Sequence, residues 1–450
     1  MDFTAEPGNS LLTDLYELTM VQAYWREKRT GRAVFSLFSR SLPDSRNYLL
    51  ACGLDDALSY LEKISFSSQA IDYLRTLGQF SEPFLGWLAE FSFSGDVRAV
   101  PEGTPMFPGE PFLEVTASLP EAQLVETVLV NRIHAQTLAA SKCSRIVSAA
   151  QGRAVVDFGL RRMHGTEAAV KNARAFHIAG SAGTSNVLAG SVYGLSVTGT
   201  MAHSYVQSHE SELEAFRQFT ALYPETVLLV DTYDALCGVE NVIRLAEELG
   251  DSFTVRGIRL DSGDMTILSI QARQMLDEAG LNLVKIFASG NLDEYAIAEL
   301  LERGARIDGF GVGTLMGTSA DAPYLDFSYK LTSYDGQDRV KLSTAKQSLP
   351  GPQQVYRVEE NGVAVRDIIA GQEESQPGRP LLVSVMEKGR RLGTDATDMA
   401  ASQRRAKEGL KKLSSALRGL KTVSPYPVEV SAELLARRQR IMDRKEQGCA

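Results

Sequence analysis

Short runs of apolar residues recur through the middle of the chain, and each run ends in a polar or glycine-rich loop. Between successive runs lie longer segments whose apolar positions follow helical spacing. From residue 230 onward the loops recur roughly every 30 residues or a little less, the length of one strand, one helix and two short loops. The pattern predicts strands and helices that alternate. The predicted strands are 154–158, 195–197, 227–230, 257–260, 284–288 and 309–312.

The segments between these strands predict five helices, and a glycine marks the expected end of the last three. Glycine favours the left-handed backbone that commonly closes a helix. Units in this order predict an α/β barrel, in which reactive side chains collect at the carboxyl ends of the strands. The predicted helices are 167–178, 213–222, 239–249, 267–279 and 292–303, with Gly250, Gly280 and Gly304 as their ends.

The first 150 residues mix helix and strand signals and predict a smaller domain outside the barrel. Asp14 and Glu17 have the spacing of a capping box, which predicts a helix that begins there and runs through Trp25. The other predicted elements are a strand at 34–38, a small sheet within 101–115, and one or two helices within 121–150.

After about residue 335 the alternation weakens. Residues 355–357, 363–369 and 381–385 predict strands of a meander that returns to the N-terminal sheet, and residues 398–417 predict an amphipathic helix packed on the outside. The fold expected is an α/β barrel with a smaller α/β domain made from both ends of the chain. The expected divisions are 1–150, 151–335 and 336–450.

Composition is that of an ordinary globular protein, with 450 residues, 44% of them hydrophobic and 23% charged. The formal net charge of -9 argues against a broad nucleic-acid surface, although a few arginines can still hold a small anion. The basic pairs at 404–405 and 411–412 are interpreted as a solvated helix face. We expect no nucleic-acid partner.

The four cysteines are far apart and form no Cys-x-x-Cys pair, so neither structural zinc nor a disulfide framework is expected. Cys52, Cys143 and Cys237 are expected to be buried, and Cys449 lies near the C-terminus. Residues 1–9 lack the features of a signal peptide, and no apolar stretch approaches the roughly 20 residues that cross a bilayer. We therefore expect a cytoplasmic protein without a membrane partner.

Two loops after successive strands are built from small residues, Ser289-Gly290-Asn291 and Gly311-Val312-Gly313-Thr314. Such loops let backbone N–H groups close on phosphate oxygens, and a following helix N-terminus adds a favourable dipole. In β/α barrels the last two loops are a frequent phosphate site. The alternative is that these glycines only permit tight turns.

The remaining polar strand-end residues suit ligands that carry charge. Asp261 and Asp264 are hard oxygen donors for Mg²⁺ or ribose hydroxyls, and Arg259 can pair with a carboxylate ligand. The alternatives are ion pairs of Arg259 with Asp261 or Asp231, and helix capping by Asp231 or Asp234. His203 follows a small-residue turn; it is either a structural histidine or a nucleophile that accepts a phosphoryl group.

Six motifs together resemble one family. They come in the order found in nicotinate phosphoribosyltransferases and span about 300 residues. The motifs are LLTDLYELTM at 11–20, FGLRR at 158–162, GTSNV at 183–187, GTMAHS at 199–204, RLDSGD at 259–264 and GVGT at 311–314.

This resemblance implies a type II phosphoribosyltransferase, an irregular α/β barrel fused to a smaller α/β domain, that works as a head-to-tail homodimer with shared active sites. The implied reaction joins nicotinate to 5-phosphoribosyl 1-pyrophosphate in NAD biosynthesis. It gives nicotinate mononucleotide and pyrophosphate and is coupled to ATP hydrolysis, with Mg²⁺ held mainly through the substrate pyrophosphate. Some family members carry C-terminal cysteines for a metal, and this chain lacks that spacing.

The resemblance also implies roles for particular residues. Phe158 and Tyr16 would sandwich the pyridine ring, Tyr16 coming from the partner subunit. Arg259 would bind the nicotinate carboxylate with Thr200 beside it, and His203 would be phosphorylated by ATP. The residues matched to phosphoribosyl pyrophosphate are Arg161 for phosphates or ribose, Asp231 and Asp261 for ribose and the Mg²⁺ pyrophosphate, and Ser289, Gly290, Gly313 and Thr314 for the 5-phosphate.

Ser185 bears on the choice between acid and amide. Nicotinamide phosphoribosyltransferases resemble this chain at nearly every motif but have an aspartate at the position of Ser185, and a carboxylate there would repel nicotinate. Quinolinate as substrate would need further basic residues. Outside this family, the alternatives are a barrel protein that binds a phosphorylated metabolite without turnover and a phosphatase-like enzyme that uses the Asp loops with Mg²⁺.

Overall fold

The structure is a computed structural model that describes residues 9–341 and 348–448, without the side chains of residues 445–448. These residues form two units. The first comprises described residues of Met1–Ser141 and Tyr324–Ala450, and the second is Lys142–Pro323. The prediction about residues 1–9 falls almost entirely outside the described part, as does Cys449.

The second unit is built on a parallel sheet of six strands, which form a half-barrel. Ile258, Ile286 and Phe310 are fully buried, as expected for strands covered on both faces. The α/β fold predicted from the alternating pattern is confirmed. In spatial order the strands are Gly183–Thr184, Ala154–Asp157, Gly309–Val312, Lys285–Ser289, Gly257–Leu260 and Val227–Leu229.

One predicted strand of this unit is wrong. Residues 195–197 make only an isolated bridge between Val197 and Thr184, and the two-residue strand Gly183–Thr184 takes the place beside Ala154–Asp157. The run follows Gly194, which is left-handed with φ +66°, and among the described residues its backbone bonds only to Thr184, through the Ser196 carbonyl and the Thr198 N–H. The half-barrel is therefore irregular at this edge.

The helices of the second unit begin where the sequence places aspartates. Asp234, Asp264 and Asp293 each accept two backbone N–H groups at the start of the following helix, so the capping alternative for Asp234 is confirmed. The α-helices are Thr166–Ile178, Val187–Tyr193, His203–Gln207, Glu212–Leu222, Ala235–Leu249, Met265–Glu278, Glu294–Glu302 and Thr314–Gly317, and the 3₁₀ helices are Leu160–Arg162 and Gly250–Ser252.

The first unit contains a seven-stranded antiparallel sheet made from both ends of the chain. Phe327–Tyr334 pairs with Arg32–Ser39, and Val383–Glu387 pairs with Asp96–Ala99. In spatial order its strands are Gln337–Asp338, Phe327–Tyr334, Arg32–Ser39, Pro111–Ser118, Asp96–Ala99, Val383–Glu387 and Arg390–Arg391.

The predicted meander is only partly correct. Gln353–Glu360 and Val363–Gly371 pair with each other, as a hairpin should, but they belong to a separate sheet and not to the N-terminal one. Val428–Val430, a strand that the sequence did not indicate, adds in parallel to Val363–Gly371. This four-stranded sheet is completed by Arg379–Pro380, and a two-stranded sheet consists of Leu49–Leu50 and Pro105–Met106.

The first helix is confirmed, but its predicted capping box is wrong. Asp14 makes no side-chain cap, and its carboxylate accepts a hydrogen bond from Thr127 Oγ1 at 2.8 Å. Glu17 turns inward to Thr13 and Thr127. The helices are Leu15–Arg26, Leu54–Lys63, Ser68–Thr76, Glu82–Ala89, Leu119–Leu124, Glu126–Ala149 (whose residues from Lys142 onward belong to the second unit), Met399–Lys412, Ser415–Arg418 and Ala432–Gly448, with a 3₁₀ helix at Asp395–Thr397.

Cys52 and Cys143 are buried as predicted, but Cys237 is exposed. Its helix buries Gly238, Val239 and Val242, so Cys237 falls on the opposite face. Among the residues described, no helix is long and apolar enough to cross a membrane.

Glu114 is a buried carboxyl of the central sheet of the first unit, 3% exposed. It accepts hydrogen bonds from the Gln353 N–H at 2.9 Å and from Arg98 Nη1 at 3.3 Å. Burial raises the pKa of Glu114 to about 8, against the lowering by Arg98 and Gln353. The folded protein therefore holds a proton on Glu114 that the unfolded chain releases near pH 4.5.

Stability should therefore fall as pH rises from about 4.5 to about 8, since the folded state binds the extra proton throughout that window. The loss from this group is on the order of a few kcal/mol. Glu114→Gln should remove its share of the slope. Urea unfolding at several pH values, followed by the fluorescence of Trp25 and Trp87 in the same unit, measures it; parallel slopes for both proteins would contradict the prediction.

Candidate active site

The carboxyl ends of two neighbouring strands bring together Arg259, Asp261 and Ser289. Arg259 Nη1 donates to Asp261 Oδ1 at 3.1 Å and to Ser289 Oγ at 3.0 Å, and its Nη2 donates to the Met201 carbonyl at 2.8 Å. Ser289 Oγ in turn donates to Asp261 Oδ1. The ion pair with Asp261 that the sequence left as an alternative is present.

The Arg259 side chain is only 13% exposed. Burial lowers the pKa of Arg259, while Asp261 and Asp231 act to raise it, and the guanidinium stays charged at neutral pH. Its Nε is buried and has no hydrogen-bond partner in the described part of the chain. A buried donor without an acceptor costs free energy, so an acceptor supplied by a ligand would be favourable here.

Asp231 ties the neighbouring loop to the same cluster. Its Oδ2 accepts from the Asp261 N–H and from Ser262 Oγ, both at 2.8 Å. Its Oδ1 is buried without a hydrogen-bond partner among the described residues. Two carboxylates thus lie at adjacent strand ends, with one oxygen unsatisfied.

His203 begins the short helix His203–Gln207 beside these carboxylates. Its Nδ1 lies 3.2 Å from Thr232 Oγ1, and its Nε2 lies 4.0 Å from Asp261 Oδ2. The side chain is 41% exposed. Thr232 contacts one ring nitrogen and Asp261 lies near the other. The two residues therefore orient the imidazole of His203, which remains accessible to solvent.

The small-residue loops have steric reasons for their glycines. Gly290 has φ +90°, and a Cβ there would lie 2.2 Å from the Asp261 carbonyl oxygen. A Cβ on Gly311 would lie 2.4 Å from the Phe158 ring, and one on Gly313 would lie 3.0 Å from the Phe158 carbonyl oxygen. Thr314 begins the four-residue helix that follows. Close contacts with backbone at Gly290 and Gly313, and with the Phe158 ring at Gly311, therefore account for these glycines.

Phe158 and Arg161 follow the strand Ala154–Asp157. Phe158 is half-buried and donates its N–H to the Val312 carbonyl at 2.8 Å. Arg161 is exposed, and its charge contributes to lowering the pKa of Arg259. The structure thus places Arg161 within electrostatic reach of the Arg259 cluster.

Ser185 and Thr200 lie on loops of the same unit. The Ser185 N–H donates to the Asp157 carbonyl at 2.8 Å, and Thr200 Oγ1 donates to the Met201 carbonyl at 3.2 Å. Met201 is the residue whose carbonyl Arg259 also contacts. Thr200 is therefore attached to the cluster through that carbonyl.

Asp157, whose backbone carbonyl accepts the Ser185 N–H, has a buried carboxyl group that is fully engaged. It accepts hydrogen bonds from Thr184 Oγ1 at 2.7 Å and from the Gly159 N–H at 2.8 Å. Burial raises the pKa of Asp157, which both hydrogen bonds oppose. Asp157 therefore positions the two loops and does not face a ligand as a free carboxylate.

Tyr16 lies in the first unit and is described there by itself. Its side chain is 47% exposed and lines a cavity of about 360 Å³ with Asp14, Glu126 and His134. Burial, followed by the charges of Glu126, Glu17 and Asp14, raises the pKa of Tyr16, so the phenol stays neutral. Burial also raises the pKa of its neighbour Glu17 to about 7.

Three features of the site escaped the sequence. Thr232 contacts His203, the Met201 carbonyl receives Arg259, and Asn186 Nδ2 is buried without a hydrogen-bond partner in the described residues. A carbonyl carries no side-chain signal, and a threonine after a strand is common. Asn186 lies in the motif GTSNV at 183–187 and Met201 in GTMAHS at 199–204, whereas Thr232 lies in none of the six motifs.

No group of three or more His, Cys, Asp or Glu side chains among the described residues is arranged to hold a metal. A cation at this site would therefore need oxygens from a ligand beside Asp231 and Asp261. Anionic oxygens are the donors that Mg²⁺ prefers.

Comparison with known proteins agrees with the motifs. Residues 11–134 match the model of the nicotinate phosphoribosyltransferase N-terminal domain, and residues 153–341 match that of the nicotinate phosphoribosyltransferase family. Nicotinate phosphoribosyltransferase pncB2 of Mycobacterium tuberculosis is 51% identical over 433 residues, 96% of this chain and 94% of that protein. Nicotinate phosphoribosyltransferase of Bacillus subtilis is 42% identical over 357 residues, 78% of this chain and 73% of that protein.

Solved structures show the same similarity. The crystal structure of human nicotinic acid phosphoribosyltransferase superposes with a TM-score of 0.85 at 28% identity, covering 94% of this chain and 98% of that one. Nicotinate-nucleotide pyrophosphorylase from Pyrococcus furiosus has a TM-score of 0.74 at 24% identity, covering 92% and 97%, and shares the fold.

Proposed function

Since the chain belongs to the nicotinate phosphoribosyltransferase family, we propose that it joins nicotinate to 5-phosphoribosyl 1-pyrophosphate. The products are nicotinate mononucleotide and pyrophosphate, in a step of NAD biosynthesis that is coupled to ATP hydrolysis. The enzyme works in the cytoplasm as a homodimer with shared active sites. The observation that carries the proposal is the buried, charged Arg259 with an unsatisfied donor at the strand ends.

Arg259 binds the nicotinate carboxylate, because a guanidinium in a dry site forms strong charge-assisted hydrogen bonds to carboxylate oxygens. Phe158 provides a flat face for the pyridine ring, and Tyr16 of the partner subunit covers the other face. Thr200, attached to the Met201 carbonyl, lies beside the carboxylate. Ser185 adds no negative charge, and Asp157 is already engaged, which favours the acid over the amide.

Phosphoribosyl pyrophosphate occupies the neighbouring loops. Ser289, Gly290, Gly313 and Thr314 hold the 5-phosphate, and Arg161 contacts phosphates or ribose. The free Oδ1 of Asp231 suits a ribose hydroxyl. Asp231 and Asp261 would help to hold Mg²⁺ that is bound mainly through the pyrophosphate, and the cation would supply positive charge for the departing group.

The bond between the ribose C1 and the pyrophosphate oxygen breaks as the pyridine nitrogen of nicotinate approaches C1. The transition state has oxocarbenium character. The pyridine nitrogen supplies the electron pair for the new bond, and pyrophosphate leaves with the pair of the old one. The protein forms no covalent bond to the ribose in this step. Catalysis comes from positioning the two substrates and from carboxylates such as Asp261 near the developing positive charge.

His203 couples the reaction to ATP. A neutral ring nitrogen attacks the terminal phosphoryl group of ATP, ADP leaves, and the phosphohistidine is later hydrolysed to phosphate. Thr232 at 3.2 Å and Asp261 at 4.0 Å hold the ring in place for this attack. The phosphorylated state favours tight substrate binding, and hydrolysis then releases the products.

Mononucleotide formation from phosphoribosyl pyrophosphate and Mg²⁺ tests the proposal, with nicotinate, nicotinamide and quinolinate compared in the presence and absence of ATP. We expect turnover of nicotinate that ATP stimulates. A preference for nicotinamide would overturn the argument from Ser185. Binding without turnover of any of the three would favour a metabolite-binding barrel protein.

His203→Ala should abolish the stimulation by ATP while slower synthesis without ATP persists at high substrate concentrations. The ring that receives the phosphoryl group is gone, but Arg259 and the phosphate loops remain. The matched control is His209→Ala. His209 follows the same short helix, and its Nδ1 lies 2.8 Å from the carbonyl oxygen of Tyr205. ATP stimulation that survives in His203→Ala would contradict the coupling role.

A further inference from the structure

A cavity of about 230 Å³ in the first unit lies between the helix Met399–Lys412 and the strand Gln353–Glu360. Its volume is several times the roughly 30 Å³ that a water molecule takes up in the liquid. Four basic side chains share it in a chain whose net charge is -9. The charged residues that line it are Arg357, Arg379, Arg405 and Lys412, with the carboxylates Glu359 and Glu408.

Arg357 and Arg379 are directly opposite each other on antiparallel strands. Side chains in this relation lie on the same face of the sheet, and like charges so placed repel. Arg357 is 3% exposed and is held by Asp367 through Nε and Nη2, with Nη2 also donating to the Pro105 carbonyl at 2.8 Å. Its Nη1 makes no hydrogen bond to the described residues. One edge of this buried guanidinium can therefore still donate hydrogen bonds to a ligand.

Arg405 enters the cavity from the helix and adds a third guanidinium. It donates to the backbone carbonyls of Glu102 and Asp395. Burial lowers the pKa of Arg405, Asp395 and Glu102 oppose this, and the charge of Arg379 acts in the same direction as burial. The two arginines are therefore close enough to repel each other.

The carboxylates nearby form ion pairs with three of the four cations. Asp367 pairs with Arg357, Glu359 pairs with Lys412 at 2.8 Å, and Asp395 lies 3.3 Å from Arg405 but is 75% exposed. Arg379 has no ion pair or hydrogen bond from its side chain to any residue that the structure describes. Glu408 also lines the cavity but forms no ion pair with a described residue, so Arg379 remains unpaired beside two other guanidinium groups.

We propose that this cavity binds a phosphate-bearing anion, with the guanidinium groups of Arg357, Arg379 and Arg405 as its donors. Planar guanidinium forks match phosphate oxygens, and several forks that approach from two strands and a helix suit a tetrahedral group better than a planar carboxylate. The anion relieves the repulsion between the opposed arginines. The site is separate from the residues proposed for phosphoribosyl pyrophosphate and gives the C-terminal segment a ligand.

Isothermal titration of the full chain with inorganic phosphate, pyrophosphate and ATP tests this, and the three arms distinguish the source of the phosphate group. The variants are Arg379→Gln, Arg379→Lys, and Arg161→Gln to weaken the proposed substrate site. Arg379 is exposed and without a described partner, so its replacement should not disturb folding.

We expect two classes of site in the unaltered protein. Arg379→Gln should weaken one of them by about tenfold or more, the scale of one charge-assisted hydrogen bond, and Arg379→Lys by less. Arg161→Gln should leave that class intact. Arg379→Gln should also lose part of the phosphate-dependent rise in melting temperature. Isotherms that Arg379→Gln does not change, or a single class abolished by Arg161→Gln, would overturn the proposal.

Discussion

Arg259→Ala should raise the nicotinate concentration required for half-maximal rate by about 100-fold or more, which corresponds to about 3 kcal/mol of lost binding. The requirement for phosphoribosyl pyrophosphate should change far less. The guanidinium is buried at 13% exposure, so its interaction with a carboxylate is screened little by water. Initial rates measured with each substrate varied in turn give the two values.

Two further variants separate charge from position. Arg259→Lys keeps the charge but loses the fork, so it should recover only part of the affinity. Arg256 lies just before the same strand and forms an ion pair with Glu225 at the surface. Arg256→Ala should leave the concentrations required for half-maximal rate unchanged for both substrates. Equal losses for nicotinate and phosphoribosyl pyrophosphate in Arg259→Ala would point instead to collapse of the contacts with Asp261 and Ser289.

The sequence predicted the parallel strands well because burial on both faces makes them almost continuously apolar. Gly257–Leu260 and Gly309–Val312 were predicted to the residue. The run 195–197 was wrong, since two apolar residues around Ser196, between turn formers, are as compatible with a bridge as with a strand. Over so few residues, periodicity does not distinguish a strand from a bridge.

Long-range contacts account for the errors elsewhere. Glu17 has the local spacing of a capping residue, yet Thr127, more than a hundred residues away, takes its carboxylate. The hairpin of Gln353–Glu360 and Val363–Gly371 is local, but its sheet is extended by the distant strand Val428–Val430, and neither hairpin strand alone gave a sign of which sheet it would join. Local sequence patterns determine whether a segment forms a helix or a strand. Tertiary packing determines which strand or side chain it pairs with.

The candidate site also has features that the sequence predicts and features that it does not. Arg259, Asp231, Asp261 and Ser289 could be predicted to meet, because strand ends in a parallel sheet lie at one edge, and the structure places them within hydrogen-bonding distance. His203 follows no strand of the sheet and still lies 4.0 Å from Asp261. Which oxygen or nitrogen each one uses, and which atoms remain unsatisfied, depends on loop geometry that spacing does not encode.

The helix that follows the Ser289-Gly290-Asn291 loop is held by a buried charge network. Glu294, in its first turn, is fully buried and accepts hydrogen bonds from Lys142 and from Arg145 Nε, both 1% exposed. Lys142 also pairs with Asp321 at 2.8 Å. Glu294 therefore fixes the start of the helix directly behind the loop proposed to hold the 5-phosphate.

Glu294→Gln should lower the free energy of unfolding of the second unit by about 3–5 kcal/mol, because two buried cations lose the carboxylate they share. Urea denaturation followed by circular dichroism, with hydrogen exchange of residues 294–302, measures the loss. Glu225→Gln breaks an ion pair whose members are 63% and 68% exposed and should cost less than about 1 kcal/mol. Equal, small effects of both changes would mean that water compensates the buried network. A large effect of Glu294→Gln alone would show that the buried charge network stabilises the helix that follows the Ser289-Gly290-Asn291 loop.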